Sequence, residues 1–402
     1  MSNNHEVPGN APFAQNRGGD AGKVTFGLLS EKAAIVARGV RRPVTAGPVS
    51  TLAGRLDAFF ARVSDGPRIV VGAIPFDRAA DDFLFQPVAI DFDGDTLPKA
   101  QGRRTNYAAT TGWLVTPEPD AAAYSEAVRK ALSRMQPPAG LRKVVLSRSL
   151  SLAAGAPIDI DGLLASLVAD RSVTTFLTRL PSFGDVPRVL VGATPELLVA
   201  KSGGEVVSHP LAGSARRHAD PVSDRGAAAA LKSSDKDQRE HRAVVEAVFD
   251  ALNPYCSELS APDPEALVTT ATMWHLGTRI VGKLKDPSTS AAELAAVLHP
   301  TPAVCGLPRD RAAEVIRELE SYDRGFYAGA VGWTDESGDG QWFVSLRCAE
   351  VAGSRARLYA GAGIVPGSDP AGEVDETSAK FLAMLKALGV DEQGRAVAGR
   401  AA

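Results

Sequence analysis

Lys143-Val144-Val145-Leu146-Ser147 is a β-branched, apolar run with no helical spacing, and it reads as a buried strand. Runs of the same kind lie on either side of it. They include Arg68-Ile69-Val70-Val71-Gly72-Ala73-Ile74, Arg188-Val189-Leu190-Val191-Gly192, Trp342-Phe343-Val344-Ser345-Leu346-Arg347 and Ala356-Arg357-Leu358-Tyr359-Ala360. Helical spacing is confined to 120–136, 160–169, 236–253, 290–298, 309–320 and 373–388. Strands outnumber helices and do not alternate with them, which argues against a doubly wound parallel sheet. The expected class is α+β: one large domain with a mainly antiparallel β-sandwich core and helices packed outside. No internal repeat and no Pro- or Ser-rich linker divides residues 24–390. Residues 1–22, rich in Asn, Gly, Pro and Ala, are expected to form a disordered or loosely docked tail. The domain is then expected over 23–390, with 391–402 as a flexible carboxyl-terminal tail.

Of the 402 residues 45% are hydrophobic and 23% charged, and 44 basic against 47 acidic side chains leave a net charge of −3. That balance gives no reason to expect nucleic acid or an anionic membrane as partner. Cys256, Cys305 and Cys348 are too few and too scattered for a disulfide framework or a zinc cluster, and are expected as reduced thiols in a cytoplasmic protein. No run of about 18 apolar residues and no secretory signal is seen. A monomer acting on a small molecule is expected.

The acidic residues carry more information. In Lys236–Leu252 (KDQREHRAVVEAVFDAL), Val244, Val245, Val248 and Leu252 form an apolar stripe, and Glu240 extends it by one turn. A carboxylate facing a core needs a cation or hydrogen-bond donors. From spacing alone, a helix-end salt bridge and a functional role both stay open. In GEVDETSAKFLAMLKALG (372–389), Glu373, Glu376 and Lys380 share neighbouring parts of one face beside the stripe of Phe381, Leu385 and Leu388. First-turn acids also favour the helix dipole, so a structural reading stays open here too. The preceding Ala360-Gly361-Ala362-Gly363-Ile364 reads as a glycine turn after a strand, where backbone N–H groups approach an anion closely. Three glutamates without Cys or His companions suit a hard cation such as magnesium.

Eight segments in order then resemble the chorismate-utilising family, which includes isochorismate, salicylate, anthranilate and aminodeoxychorismate synthases. They are KVVLSR (143–148), GATPELL (192–198), HPLAGSARR (209–217), KDQREH (236–241), HPTPAVCGLPR (299–309), GFYAGAVGW (325–333), SLRCA (345–349) and AGAGIVPGSDPAGEVDET (360–377). They span roughly 140–390; the first 130 residues match nothing piece by piece. The resemblance implies Mg2+ as cofactor and chorismate as substrate, with Glu240, Glu373 and Glu376 at the metal. It implies Arg347, Gly361, Ala362, Gly363 and Lys380 at the substrate carboxylates, and Leu211, Ala212, Gly213 and Ser214 as a wall beside the ring. For His275, substrate contact and a packed structural role both stay open. His241 is expected to be exposed or structural. The sequence departs from the family in carrying Val374 and Asp375 where an aromatic usually separates the last two glutamates.

By the same resemblance Lys143 is the base that activates water and Glu196 the acid that protonates the leaving oxygen. A free lysine, near pKa 10.4, and a free glutamate, near about 4.3, are in the wrong states for those tasks, and burial pushes both the right way. Ammonia-using members typically carry glutamine at the base position, so lysine implies water as nucleophile. The expected activity is isochorismate synthase, an isomerase; the alternative is a salicylate synthase that goes on to eliminate pyruvate, and a silent chorismate binder stands third. GSARR and TPAVCGLPR look closer to the isochorismate synthases of catechol-siderophore pathways, without fixing whether the product serves a siderophore, menaquinone or salicylate.

Overall fold

Strand pairing in the computed structural model is antiparallel throughout, among the described residues 22–31, 33–92, 112–136 and 140–397. Of the tail expected over 1–22, residues 1–21 lie outside these, and so do residues 398–402 of the tail expected over 391–402. The strands begin with β1 (Val24–Leu29), β2 (Ala34–Pro43), β3 (Ile69–Ile74), β4 (Phe83–Asp91), β5 (Leu114–Glu118) and β6 (Lys143–Ala153). They continue with β7 (Thr174–Phe183), β8 (Val186–Thr194), β9 (Leu197–Ser202), β10 (Glu205–His209), β11 (Leu211–Arg216) and β12 (Cys256–Thr269). The last are β13 (Met273–Leu284), β14 (Gly306–Leu307), β15 (Ala330–Asp335), β16 (Gly340–Val344), β17 (Cys348–Ala352) and β18 (Arg355–Ile364). The helices are α1 (Leu52–Phe60), α2 (Ala121–Ser133), α3 (Ile160–Val168), α4 (Pro221–Ser233), α5 (Asp235–Leu252), α6 (Ala291–Leu298), α7 (Arg309–Leu319) and α8 (Pro370–Leu388).

The fold is the expected α+β class, and all eighteen strands join one hydrogen-bonded network. Followed through its pairings, the network runs β6–β18–β17–β8–β7–β1–β2–β4–β3–β15–β16–β9–β10–β13. β5 and β14 pair with β6 at one end; β11 and β12 flank β13 at the other. Two apolar cores result. The larger gathers Val71, Phe85, Trp342 and Val344 with Val248 and Leu252 of α5. The second gathers Leu150, Leu163, Val191 and Leu358 with Phe381, Leu385 and Leu388 of α8. The two helices that carry the acidic residues are therefore anchored in different cores.

Local chemistry explains both helix starts. Ser234 caps α5 by accepting from the Asp237 N–H, and Asp369 caps α8 by accepting from the Gly372 N–H, with Pro370 at the first helical position. α8 ends on Gly389 at φ 71°, a left-handed position that favours glycine. Asp391–Val397 then turns back, with Val397 N–H donating to the Gly389 carbonyl. All three cysteines are buried and unpaired, and no helix among the described residues is long and apolar enough to cross a membrane.

Four expectations need correction. α1 and α4 went unread: α1 is only nine residues long and carries Gly54, and α4 is alanine-rich with a weak apolar stripe. The strand expected over 342–347 stops at Val344, because Arg347 adopts φ 47° and turns the chain. Gly361-Ala362-Gly363 is no turn; it lies inside β18, paired with Ser147, Leu146 and Val145 of β6.

Candidate active site

The two ends of the strand network face each other across a cleft with about 720 Å³ of empty space, counting its open mouth. One wall comes from β18 and β6: Tyr359, Ala360, Gly361 and Gly363, with Val145 beside them. The other comes from β11 and β13: Leu211, Ala212, Gly213, Ser214 and His275. Pro195 and Glu196, Ala303 and Val304, Tyr327, and Leu346 and Arg347 close the remaining sides; Glu240, Glu376 and Lys380 reach in from the helices.

β11 bulges at Gly213, which sits at φ 75° between Ala212 and Ser214, paired with Leu276 and His275. A Cβ there would lie 3.0 Å from the Asp237 Cβ, so α5 packs directly on the bulge. Gly363 makes the equivalent approach on the opposite wall. Its added Cβ would lie 3.0 Å from Glu240 Cδ and closer still to its Oε1. Gly363→Ala is therefore expected to displace Glu240 and to cut activity at least tenfold with the fold retained, read by steady-state kinetics beside thermal unfolding. Wild-type kinetics in that variant would show that the close approach has no functional weight.

Three glutamates lie in the cleft or behind its wall, each against a lysine. Glu240 Oε1 is 2.9 Å from Lys143 Nζ, Glu373 Oε1 accepts from Lys236 Nζ at 2.9 Å, and Glu376 Oε1 accepts from Lys380 Nζ at 2.7 Å. Ser214 also donates to Glu376 Oε1, at 2.8 Å, and Lys380 donates to the Gly361 carbonyl. Lys143 and Glu373 are each 2% exposed and stand one layer behind the cavity wall. Lys143 Nζ has no well-aligned hydrogen bond despite its short approach to Glu240, and neither has Glu373 Oε2.

Burial and then Glu376 raise the Glu373 carboxyl above its usual range, against Lys236 and Ser368. Glu376 goes the other way: burial would raise it, but Lys380, Ser214 and Lys236 bring it below. Glu196, 3% exposed, is pushed up to about 8 by burial, with Lys143, Lys380 and Arg347 opposing. It is a carboxylic acid at neutral pH, and its Oε1 is buried without a partner.

Arg347 donates to Thr270 Oγ1 at 3.0 Å and to His275 Nε2. His275 accepts that bond as a neutral ring, since burial and the neighbouring Arg347 and Lys380 push it well below the usual histidine range. His275 thus both lines the cleft and orients the guanidinium. Burial brings Arg347 down to about 10. His241 is buried rather than exposed, bonded through Nε2 to Thr278 Oγ1 at 2.7 Å. Of the remaining sequence candidates, Ala362 does not line the cleft: strand alternation buries it between Gly361 and Gly363.

Sequence reading missed Tyr359, Tyr327 and Asp237. Tyr359 shares the face of Gly361 and Gly363 by period two, a signal that was present. Tyr327 stacks on it with ring centroids 4.8 Å apart and 6° between planes. Asp237 lies three residues before Glu240 on α5, and burial, Glu240 and Glu376 raise its carboxyl.

The model of the family described as chorismate binding enzyme matches residues 95–389. The chain is 44% identical to isochorismate synthase DhbC of Bacillus subtilis (strain 168), over 91% of this chain and 94% of that one. It is 40% identical to isochorismate synthase EntC of Escherichia coli (strain K12), over 80% and 81% of the two. The crystal structure of DhbC from Bacillus anthracis superposes with a TM-score of 0.85 at 40% identity, covering 92% of this chain and 97% of that one. The cleft and the strand network belong to the chorismate-utilising class. The chain is a member of the chorismate-binding enzyme family.

Proposed function

We propose that this enzyme converts chorismate to isochorismate by adding water at C2 and expelling the C4 hydroxyl, with Mg2+ as cofactor. The observation that carries the reading is a buried glutamate in the cleft wall, Glu196, whose carboxyl burial raises to about 8, with a buried lysine, Lys143, one layer behind the same wall against Glu240. That is the base-and-acid pair an exchange of hydroxyls requires. Relatives at 40% identity and above bear the name isochorismate synthase, which supports the same substrate and product.

In this reading Arg347 grips a substrate carboxylate with its planar fork, held by His275 and Thr270. The Gly361 and Gly363 backbone leaves room for the substrate where a side chain would intrude. Leu211–Ser214 walls one ring face, and Tyr327 and Tyr359 supply a flat apolar surface. Lys143 takes a proton from the incoming water, and Glu196 gives its proton to the departing oxygen. Lys380, already bonded to Glu376, is placed to neutralise substrate charge.

The residues present fit a hard cation. Glu240, Glu373 and Glu376, joined by Asp237, offer only oxygen donors, and Glu373 Oε2 is buried without a well-aligned hydrogen bond. As the side chains stand with their lysines, no group of three His, Cys, Asp or Glu among the described residues is gathered closely enough to hold a metal. When bound, Mg2+ would neutralise carboxylate charge and hold a substrate oxygen. Glu376→Gln should raise the Mg2+ concentration needed for half-maximal rate by roughly tenfold or more, since a charged ligand is lost. An unchanged magnesium titration would remove Glu376 from the metal site.

The function itself is tested by incubating the protein with chorismate and Mg2+ and following products by liquid chromatography and mass spectrometry. An isobaric product without pyruvate supports isochorismate synthase. Salicylate with stoichiometric pyruvate replaces that reading with salicylate synthase, and no consumption of chorismate leaves a binder.

A further inference from the structure

The three lysine–glutamate pairs differ in one respect. Lys143 is buried, and Lys380 is tied also to the Gly361 carbonyl. The Lys236 side chain is a third exposed and, among the described residues, donates to Glu373 alone. It stands in the first turn of α5 beside Asp237, at the edge of the carboxylate group. Its Nζ lies 2.9 Å from Glu373 Oε1, and the rest of the side chain reaches toward solvent. Its partner Glu373 is 2% exposed and keeps one buried oxygen without a well-aligned bond. The ammonium therefore balances charge there without completing the coordination of the carboxylate. A dication held by Glu373 would supply what the lysine leaves open, and the lysine has solvent to move into.

We propose that Lys236 holds the place of the divalent cation in the cation-free protein and swings to solvent when the cation binds, and thereby sets how tightly the site takes its metal. The inference rests on the magnesium reading above. Without a counter-charge, Asp237 and Glu240 of α5 and Glu373 and Glu376 of α8 would repel one another, and Lys236 supplies part of that charge. Once a dication arrives, the same ammonium is a like charge at close range and opposes it. Lys236 thus trades metal affinity for a site that stays assembled when empty.

The test uses Mg2+ alone, without chorismate. Isothermal titration compares wild type, Lys236→Met and Lys236→Arg. Acetylation footprinting with mass spectrometry reads the reactivity of Lys236 in the wild-type protein, in chelator and in Mg2+. Lys236→Met is expected to bind Mg2+ about tenfold more tightly and Lys236→Arg to resemble wild type. Lys236 is expected to acetylate several-fold faster once Mg2+ is present. Unchanged or weaker Mg2+ binding by Lys236→Met overturns the proposal and leaves the metal reading standing, as does acetylation indifferent to Mg2+. If no protein of the series binds Mg2+, the carboxylate metal site falls and the proposal with it. Should Lys236→Met fail to fold, the wild-type footprint decides.

Discussion

Replacing Lys143 by alanine is expected to lower turnover by roughly 10²–10⁴-fold, the range a positioned base contributes. The side chain is 2% exposed, starts from the first residue of β6, and runs behind Gly363, whose added Cβ would lie 3.3 Å from Lys143 Cε. The variant also removes the partner of the buried Glu240 carboxylate, and breaking such a buried pair costs about 3–5 kcal/mol. Loss of rate and loss of fold must therefore be read separately. Thermal unfolding with and without Mg2+ gives the second, and partial recovery of rate with added methylamine identifies the first. Turnover within a few-fold of wild type in folded protein would end the assignment of Lys143 as base.

Glu196→Gln is expected to cost a similar factor, roughly 10²–10⁴-fold, because an amide of the same shape has no acid proton to give. With its pKa pushed up to about 8 by burial, the wild-type carboxyl is protonated at neutral pH and ionises above that value. The wild-type rate should accordingly fall as pH rises through about 8, a limb the variant lacks. Stability carries the same signature. Between the ordinary carboxylate value of 4.5 and about 8, the folded protein holds a proton the unfolded chain has lost. The stability that this group contributes is full below the lower value and is lost as pH rises through the upper one. Glu196→Gln should flatten that slope in denaturant titrations across pH. A variant that keeps the alkaline limb would assign it to another group.

Much of this site was legible in the chain because helical spacing places a carboxylate as surely as a leucine. Glu240 sits on the stripe of Val244, Val248 and Leu252, and it is buried with them. Glu376 and Lys380, four apart, meet at 2.7 Å. What escaped was whatever depends on a neighbour distant in sequence. Gly361 and Gly363 read as a turn because nothing local shows that β6 runs alongside them. Arg347 reads as the end of a strand because a left-handed φ at a non-glycine is imposed by tertiary contacts, here a guanidinium held by His275 and Thr270. Tyr327 was quoted in its motif, but its stacking on Tyr359 joins residues that only the folded network brings together. α4 carried a start signal in Asp220 and Pro221, yet its alanines gave no stripe to confirm it.

The carboxylates enter the cleft from two helices rooted in different cores, α5 in the larger and α8 in the second. Whatever spans Glu240 and Glu376 therefore acts as a staple across a seam inside the protein. Occupancy and the cohesion of the two halves become one linked equilibrium: what grips the seam tightens it, and what loosens it costs affinity in equal measure. Substitutions deep in either core that loosen the seam would then be expected to weaken binding of a ligand that spans it.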